Sequence, residues 1–457
     1  MTELTRRQLL RRAAYVAPIL VITAGGVAYR QGRTFDPVPP MPPRAVFDSY
    51  GINTHFSYLG DTATWANTDA AVDWLQELGV GAVRQFLPST RPGRAAVKKG
   101  MDALGVRWCC PILTLGDFTS LDAARAVVSE RLDWLQANTD LALLDSLPGP
   151  NEPNSEGKDI AQWATLTRWA QQALYEETRR RSAFDDVLVQ GPPLNMKGGP
   201  REISPDVQAL GDLSRWLDRG DAHIYPGAGD PEVAVDERLA LLQPIHPGKP
   251  VCVSEGGYTT SAERGYTGGA ELVSEQAAAL YAPKQILVHA IAGRAFFSYE
   301  ALDEAPPYKD TRAVREGGFG LVRTPTTDPS SWTPKPGFDA IRRTLSLLKD
   351  APVLISSPLT VDVIAATADL RTALFQRSDA KWLLAVWRAV DLYEWDRVTL
   401  SGRALLVQPE QVTVTFDEPR PVTVYQPSRQ DTPTLRFNRS TFALSVGGEL
   451  QICEIGS

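Results

Sequence analysis

Residues 51–86 read GINTHFSYLGDTATWANTDAAVDWLQELGVGAVRQF, and this stretch holds the unit that decides the fold. A short apolar run at 51–55 is followed by an amphipathic stretch at 68–78 and then by a second apolar run at 82–86. A strand, a helix and another strand in this order are typical of a parallel sheet. The number of repeats of this unit therefore decides the architecture.

The alternation continues to about residue 303 and yields eight candidate strands. Eight parallel strands over roughly 250 residues are what a (β/α)8 barrel requires, so we predict an α/β fold of the TIM-barrel type. An open doubly wound sheet is the alternative, but the fingerprint GxGxxG after a first strand is missing. The candidate strands are 51–55, 82–86, 106–113, 141–144, 187–189, 221–225, 250–255 and 294–299, and helices are expected at 68–78, 121–137, 160–181 and 275–292.

After residue 348 the pattern changes to short alternating runs between Pro, Gly, Asp and Asn turns. About seven strands in about 100 residues predict a small C-terminal β-sandwich. Aromatic residues in this region are candidates for a sugar platform, but such residues more often fill a sandwich core or a domain interface, and we favour that role. They are Trp382, Trp387, Tyr393 and Trp395.

The N-terminus has the order of an export signal, because residues 4–12, LTRRQLLRR, precede a mostly apolar run at 13–29. Residues 5–10, TRRQLL, resemble the twin-arginine export motif, which marks cargo that crosses a membrane already folded. An uncleaved membrane anchor is the alternative, although a run of about 17 residues is at the short limit for spanning. We expect a bacterial protein that is secreted or associated with the cell envelope. The predicted segments are an export signal or anchor at 1–33, a proline-rich linker at 34–45, a barrel at 46–348 and an accessory sandwich at 349–457.

The composition excludes several classes of protein. With 43% hydrophobic and 22% charged residues, a long disordered chain is excluded. A formal net charge of −7 would repel phosphate backbones, so we expect no nucleic-acid partner. The 4 cysteines form no CxxC pair and there are only 4 histidines, which excludes a zinc finger or a disulfide scaffold. We expect no metal and no cofactor.

In a barrel of this kind, reactive side chains lie at the carboxyl ends of the strands, where the loops form a concave face. The ends of the candidate strands are rich in polar and ionisable residues, whereas the strand bodies are apolar. The residues at these ends are His55, Arg84, Thr114, Asn151 with Glu152, Asn195, His223 with Tyr225, Glu255, and Tyr299 with Glu300.

Two glutamates stand out among these residues. Glu152 lies in PGPNEPN at 148–154, at the end of the fourth strand, and Glu255 lies in VCVSEGGY at 251–258, at the end of the seventh. The fourth and seventh strands face each other across an eight-stranded barrel, so the two carboxylates can converge on one bond. A pair of carboxylates is the minimum machinery for glycoside hydrolysis.

The sequence Asn151-Glu152-Pro153, together with a glutamate ending the seventh strand, resembles the signature of the glycoside-hydrolase clan GH-A, including its cellulase- and xylosidase-like families 5 and 39. The resemblance covers about residues 48–345. It implies that Glu152 is the acid/base, that Asn151 holds the sugar 2-hydroxyl and that Glu255 is the nucleophile.

Two further positions match the clan. His223-Ile-Tyr225 is similar to its His-x-Tyr on the sixth strand, where the tyrosine hydroxyl binds the nucleophile, and Arg84 occupies the position of an arginine that does the same from the other side. The resemblance therefore implies that Arg84, His223 and Tyr225 belong to the substrate site.

The residues themselves agree with these roles. A nucleophilic carboxylate must stay ionised, and Arg84 and the Tyr225 hydroxyl would favour the charged form of Glu255. Glu152, in a proline-flanked loop away from any evident cation, is expected to have a raised pKa suited to proton donation. For a retaining enzyme the two carboxyl groups should lie about 5–5.5 Å apart, against about 6.5–9.5 Å for an inverting one.

The end of the eighth strand departs from the clan, because 296–300 reads FFSYE where many members have a tryptophan that floors the sugar site. Tyr299 is expected to supply that surface, and Glu300, Asp303 and Glu304 are expected to add acidity at the rim. His55 is a candidate to bind a sugar hydroxyl, with a structural hydrogen-bonding role as an equal alternative.

We therefore predict an exported retaining glycoside hydrolase that cleaves β-type O-glycosidic bonds of an oligo- or polysaccharide by double displacement. The alternatives are a transglycosylase using the same site and an inactive barrel that binds carbohydrate. A saccharide is the expected partner, and a monomer is expected unless an uncleaved N-terminal segment tethers the chain to a membrane.

Overall fold

The computed structural model describes residues 16–456, except for 24–25, 36–37, 61–62, 158, 197–199, 234, 262–270, 309–310 and 352–358. Its strands form two large sheets and two small ones. The first strands in chain order are β1 Val16–Thr23, β2 Gly26–Phe35, β3 Val38–Met41, β4 Tyr50–Thr54, β5 Ala82–Gln85, β6 Arg107–Cys109, β7 Leu144–Pro148, β8 Leu188–Gln190, β9 Gly220–His223, β10 Val251–Gly256 and β11 Phe296–Ser298.

Strands β4–β11 form the predicted parallel barrel. They are hydrogen-bonded in the order β8-β7-β6-β5-β4-β11-β10-β9. The two ends of this order meet, because Gln190 of β8 forms a parallel bridge with Arg219, the residue before β9. The amide of Gly191 also donates to the carbonyl of Arg219 at 2.9 Å. The sheet is therefore closed, and all eight carboxyl ends lie on one face.

The helices begin and end at residues suited to these positions. Ser120, Asp159 and Ser274 each accept a hydrogen bond from the backbone amide three residues further on, which satisfies an otherwise unpaired N–H at the start of a helix. Gly79 ends another helix in the left-handed region, with φ 76°. The helices are α1 Pro43–Ser49, α2 Thr68–Leu78, α3 Arg91–Leu104, α4 Leu121–Asn138, α5 Ile160–Arg179, α6 Pro200–Leu210, α7 Val235–Leu242, α8 Glu275–Ile291, α9 Thr311–Glu316 and α10 Pro336–Leu348.

The C-terminal region is a β-domain, as the alternating pattern predicts. The long strand β19, Glu410–Tyr425, pairs with β14 through its first part and with β21 through its last part. Its pairing with β20 changes register between Thr415 and Arg420. This long strand spans two stretches of alternating apolar residues, 412–416 and 422–425, which are separated by residues 417–421. The remaining strands are β12 Val322–Arg323, β13 Thr333–Pro334, β14 Val361–Ala365, β15 Leu370–Gln376, β16 Trp382–Arg388, β17 Tyr393–Asp396, β18 Ser401–Ala404, β19 Glu410–Tyr425, β20 Leu435–Val446 and β21 Gln451–Ile455.

The β-domain packs against the barrel through β15 and β16. Alternate side chains of a strand point to opposite faces, so these strands contribute to two apolar cores. Phe375 and Trp387 join the apolar core that includes the barrel, whereas Leu374 and Trp382 join the core of the β-domain itself. Trp395 packs in a third apolar cluster with residues of the barrel loops. The interpretation of these tryptophans as core and interface residues is confirmed.

The N-terminal strands belong to the sheet of the β-domain, in which β2 pairs with β14 and β3 pairs in parallel with β15. Strands β1 and β2 cover much of the segment expected to be an export signal, whereas the twin-arginine-like residues 5–10 lie outside the described residues. Export therefore stays a prediction. Across the described part of the chain, every helix is too short or too polar to cross a membrane.

Candidate active site

Glu255 ends β10 at the carboxyl face of the barrel, and its two carboxylate oxygens have different partners. The Arg84 guanidinium of β5 donates to Oε1 at 2.6 Å, and the Tyr225 hydroxyl, just after β9, donates to Oε2 at 2.8 Å. Glu255 is 7% exposed and Arg84 is 1% exposed, so this ion pair is shielded from water. The contacts expected for Arg84 and Tyr225 are present, and both orient the carboxylate.

Arg84 links this carboxylate to two asparagines. Its guanidinium donates to Oδ1 of Asn53, at the end of β4, at 2.9 Å and to Oδ1 of Asn151, after β7, at 2.6 Å. A buried guanidinium needs several acceptors, and these contacts supply them from neighbouring strand ends. Asn151 therefore shares the Arg84 guanidinium with Glu255.

Glu152 lies after β7 in a left-handed backbone conformation, with φ 42°. Its Oε1 is 2.8 Å from Nδ1 of His223, and its Oε2 accepts from Nδ2 of Asn195 at 2.8 Å. Burial alone would raise the pKa of Glu152, but the hydrogen bond and charge of His223 lower it to about 2. The expectation of a raised pKa was wrong, because the sixth strand supplies a cation that the sequence did not reveal as a neighbour.

His223 lies between the two glutamates rather than facing outward. Besides its contact with Glu152, its Nδ1 is 3.3 Å from Oε2 of Glu255, and the side chain is 1% exposed. Burial opposes protonation of this ring, yet the charge of Glu255 and the hydrogen bond to Glu152 outweigh it and raise the pKa of His223. Protonation of His223 and protonation of Glu152 are therefore coupled.

The two glutamates are close enough to act on the same atom. One carboxylate oxygen of Glu152, one of Glu255 and a ring nitrogen of His223 all lie within 4.8 Å of one another. Among the described residues, these three side chains form the group whose ligand atoms lie close enough together to hold a metal ion. The Arg84 guanidinium, 2.6 Å from Glu255, disfavours an additional cation there.

His55 and Glu300 form a second polar pair, at the ends of β4 and β11. Nε2 of His55 is 2.8 Å from Oε2 of Glu300. Burial lowers the pKa of His55 to about 4, and burial together with nearby acidic residues raises the pKa of Glu300 well above its usual range. Burial therefore favours the neutral form of both side chains.

Acidity at the rim was expected from Glu300, Asp303 and Glu304, and the structure corrects this for Glu300 and Asp303, while Glu304 is half-buried. Glu300 is 1% exposed and Asp303 is fully buried. Asp303 accepts from the buried ammonium of Lys335 at 2.8 Å, so its charge is paired inside the protein. These two carboxyl groups therefore lie beneath the surface of the site.

Aromatic rings surround the pair formed by His55 and Glu300. Tyr299 meets His55 edge to face at 5.7 Å and Tyr225 at 6.4 Å between ring centroids. Tyr58 stacks on His55 at 4.7 Å and is 47% exposed. Phe319 packs against Tyr225 and Tyr299 at 5.3 and 5.5 Å. Tyr299 thus lies where an aromatic surface was expected.

Several site residues were missed from the sequence. Asn195 was recognised at a strand end but not assigned to the site, although its position after the fifth strand was the available signal. Asn53 lies near the end of β4 and Tyr58 lies three residues after His55, so proximity to a strand end could have indicated them. Phe319 had no local signal, because it reaches the site from a segment after the barrel strands.

The chain was compared with protein families, curated proteins and solved structures. No family model and no curated protein matches it. Among solved structures, it resembles a glucosidase from Croceicoccus marinus, with a TM-score of 0.53, 12% identity and coverage of 84% of this chain and 91% of that one. It also resembles AbfB, a family 51 α-L-arabinofuranosidase from Bifidobacterium longum, with a TM-score of 0.52, 10% identity and coverage of 92% and 97%.

These similarities establish the fold: the chain is a TIM barrel with a C-terminal β-domain. An active-site mutant of the Rhizomucor miehei β-1,3-glucanosyltransferase, in complex with laminaritriose, is more distant in structure, with a TM-score of 0.43, 18% identity and coverage of 63% of this chain and 96% of that one. The fold agrees with the resemblance to clan GH-A, while membership of families 5 or 39 stays a prediction.

Proposed function

We propose that the protein is a retaining glycoside hydrolase that cleaves β-type O-glycosidic bonds of an oligo- or polysaccharide, with Glu255 as nucleophile and Glu152 as acid/base. The observation that supports this most strongly is the pair of glutamates at the carboxyl face of the barrel, with oxygens within 4.8 Å of each other and with different partners. Double displacement requires two carboxyl groups at short range.

The spacing favours retention over inversion. An inverting enzyme leaves room for a water molecule between its carboxyl groups, at about 6.5–9.5 Å, whereas a retaining enzyme holds them about 5–5.5 Å apart. Oxygens within 4.8 Å fit the shorter arrangement.

In the first step, a carboxylate oxygen of Glu255 attacks the anomeric carbon and forms a glycosyl ester as the bond to the leaving oxygen breaks. Arg84 and Tyr225 orient this carboxylate through contacts of 2.6 and 2.8 Å. Such fixed donors reduce the reorganisation needed in the transition state.

The leaving oxygen takes a proton from Glu152. In the free protein, this proton is held in the hydrogen bond between Nδ1 of His223 and Oε1 of Glu152. A sugar in the site excludes water, and a drier site favours the neutral acid and neutral imidazole over the ion pair. The proton then moves from Nδ1 of His223 to Glu152 across their 2.8 Å contact. In the second step Glu152 takes a proton from water, which attacks the glycosyl ester and releases Glu255.

The sugar that becomes attached to Glu255 must place its anomeric carbon between this carboxylate and the leaving oxygen. We propose that His55, Tyr299 and Glu300 line the sugar ring together with the exposed face of Tyr58, because these side chains are grouped at neighbouring strand ends. Asn151 directs Oδ1 to Arg84, which leaves its amide nitrogen to donate to a sugar hydroxyl.

Substitution of either glutamate tests the assignment. Glu255→Ala and Glu152→Ala should each lower kcat on activated aryl glycosides by about 10²–10⁴-fold or more. Azide should restore turnover only in Glu152→Ala, because a small nucleophile can resolve the glycosyl ester without a general base. The measurement is initial rate with and without azide, with Glu156→Ala as the control because Glu156 is an exposed carboxylate of the same loop.

Undiminished activity in either glutamate variant would overturn the assignment. Incubation of the wild-type protein with a panel of oligo- and polysaccharides, followed by analysis of product size, distinguishes hydrolysis from transfer to a second sugar. Binding without turnover on every substrate would instead indicate an inactive carbohydrate-binding barrel.

A further inference from the structure

The loop at 224–233, which follows β9 and which we call the Tyr225 loop, positions a hydroxyl on the proposed nucleophile. Tyr225 donates to Glu255 at 2.8 Å, and its backbone carbonyl accepts from Arg238 at 2.5 Å. The placement of the hydroxyl therefore depends on what holds the backbone of this loop.

Two buried tyrosines hold the loop from the barrel side. The Tyr258 hydroxyl donates to the carbonyl of Gly229 at 3.0 Å, and the Tyr281 hydroxyl donates to the carbonyl of Ala228 at 3.1 Å. Both rings are buried and stack on each other at 4.9 Å. These contacts satisfy two carbonyls that would otherwise be buried without donors.

The C-terminal β-domain holds the same loop from the opposite side. The amide of Asp230 donates to Oδ1 of Asp391 at 2.8 Å. The carboxylate of Asp230 accepts from Lys284 at 2.6 Å, and Lys284 also donates to the carbonyl of Arg388 at 3.3 Å. Lys284 is fully buried and Asp230 is 3% exposed, so neither charge has water to replace a lost partner.

Tyr281 connects the two sides directly. Its hydroxyl oxygen accepts from the amides of Leu392 and Tyr393 in the β-domain, at 2.5 and 3.2 Å, while its proton goes to Ala228 in the Tyr225 loop. Further along the loop, Glu232 accepts from Arg371 of β15 at 2.8 Å. Asp391, Arg388 and Arg371 thus connect the loop to the β-domain.

We propose that the C-terminal β-domain is a positioning element of the active site, and that it holds the Tyr225 loop so that the Tyr225 hydroxyl stays on Glu255. Asp391 is the positioning residue that this arrangement singles out, because it is exposed and yet caps the backbone of the loop. The inference rests on the proposed function, since it assigns Tyr225 a task in that reaction. It differs from a role as a separate sugar-binding module, for which the aromatic residues Trp382, Trp387 and Trp395 are too deeply buried.

Three variants of exposed residues separate positioning from general stability. Asp391→Ala removes the acceptor for the Asp230 amide and should lower kcat by about two- to tenfold, the equivalent of one hydrogen bond, with KM little changed. Asp391→Asn keeps an acceptor oxygen and should retain wild-type kcat. Glu394→Ala is the control on β17, because Glu394 is exposed and its hydrogen bonds go to Arg403. Equal loss in Asp391→Ala and Asp391→Asn would overturn the proposal.

A double-mutant cycle with Tyr225→Phe tests whether the effect passes through the hydroxyl. In the Tyr225→Phe background, Asp391→Ala should cause no further loss of kcat, because the group being positioned is gone. Independent losses that multiply would contradict the inference.

Amide hydrogen exchange tests the same contact without any substrate. Protection of the Asp230 amide should fall in Asp391→Ala and stay in Asp391→Asn and Glu394→Ala. If this pattern holds while the wild-type protein turns over no glycoside, the proposed function fails and the control of the loop by the β-domain stands. Unchanged protection in Asp391→Ala overturns the inference whatever the activity.

Discussion

At the scale of single residues, His223 lowers the pKa of the proposed acid/base, Glu152. Its protonated ring stabilises the ionised form of Glu152 and is itself stabilised by Glu255, 3.3 Å away. Protonation of His223 and protonation of Glu152 are therefore coupled, and the proton needed by the leaving group is retained up to the raised pKa of His223.

Replacing His223 should move the pH profile in a defined direction. In His223→Gln the amide still donates to Glu152, but the charge of His223 no longer lowers the pKa of Glu152 and the proton must be held by the carboxyl group alone. We expect kcat to fall by about 10²-fold and the basic limb of kcat/KM to move to lower pH, because a carboxyl group releases its proton before a histidine whose pKa is raised. The measurement is kcat/KM between pH 4 and 9.

Asn195→Ala is the matched comparison, since Asn195 donates to the other oxygen of Glu152 without carrying a charge. It should reduce activity and leave the basic limb in place. A basic limb unchanged in His223→Gln would show that the catalytic proton does not reside on this ring.

At the scale of elements, the segment 318–322 depends on a glycine that permits close backbone contact. A Cβ atom on Gly320 would lie 1.9 Å from the amide nitrogen of Asp303 and 2.2 Å from the carbonyl carbon of Leu302. Both are backbone atoms and cannot rotate away. This contact brings the neighbouring Phe319 against Tyr225 and Tyr299 in the site.

Gly320→Ala should therefore destabilise the protein and disturb the site at the same time. We expect a loss of about 3 kcal/mol in the free energy of unfolding, because rigid backbone would have to shift. Gly116→Ala is the control, since no atom lies within 4 Å of its added methyl group. The measurement is urea unfolding of both variants, and equal stability of the two would contradict the expected overlap.

The elements of the barrel could be predicted because each repeats a simple pattern. Helix α2 was expected at 68–78 and found at Thr68–Leu78. Its apolar face indicates the helix, and the glycine that follows marks its end. The fourth strand was expected at 141–144, but Leu141–Leu143 forms a short 3₁₀ turn and the strand begins at Leu144. Leucines alone do not distinguish a turn that enters a strand from the strand itself.

The hairpin of β17 and β18 was not predicted from the sequence. Its two strands pair with each other, but the apolar side chains that bury it belong to the barrel. Trp395 is buried there by Tyr258 and Tyr281, which lie far away in the chain. Similarly, strand ends indicated Glu152 and His223 separately, but their contact depends on side-chain directions across the barrel mouth. Contacts of this kind follow from closure of the sheet rather than from local pattern.

At the scale of the whole molecule, buried neutral histidines link stability to pH. His289 is fully buried, stacks on Phe296 at 4.6 Å and accepts from Arg294 at 3.3 Å. Burial lowers its pKa to about 3 from an ordinary value of 6.5. Such a histidine takes up a proton only on unfolding, so its contribution to stability falls as pH drops below 6.5.

His289→Gln should remove this dependence while an amide oxygen can still accept from Arg294. Relative to wild type, the variant should gain about 2 kcal/mol in the free energy of unfolding between pH 6.5 and pH 5, because each pH unit corresponds to about 1.4 kcal/mol. Contributions of the buried carboxyl groups cancel in this comparison. Denaturant unfolding of both proteins at the two pH values measures it, and a constant difference would contradict the expectation.

The parallel pairing of β3 with β15 has a consequence for how the chain reaches its native state. Val38 pairs with Ala373, so almost the entire barrel is synthesised between two strands that must meet. Contacts between such distant positions form slowly, because a long loop must close before they contribute. The segment ahead of the barrel therefore acquires this partner only after the whole barrel and β15 have been synthesised, which makes this pairing a late step in folding.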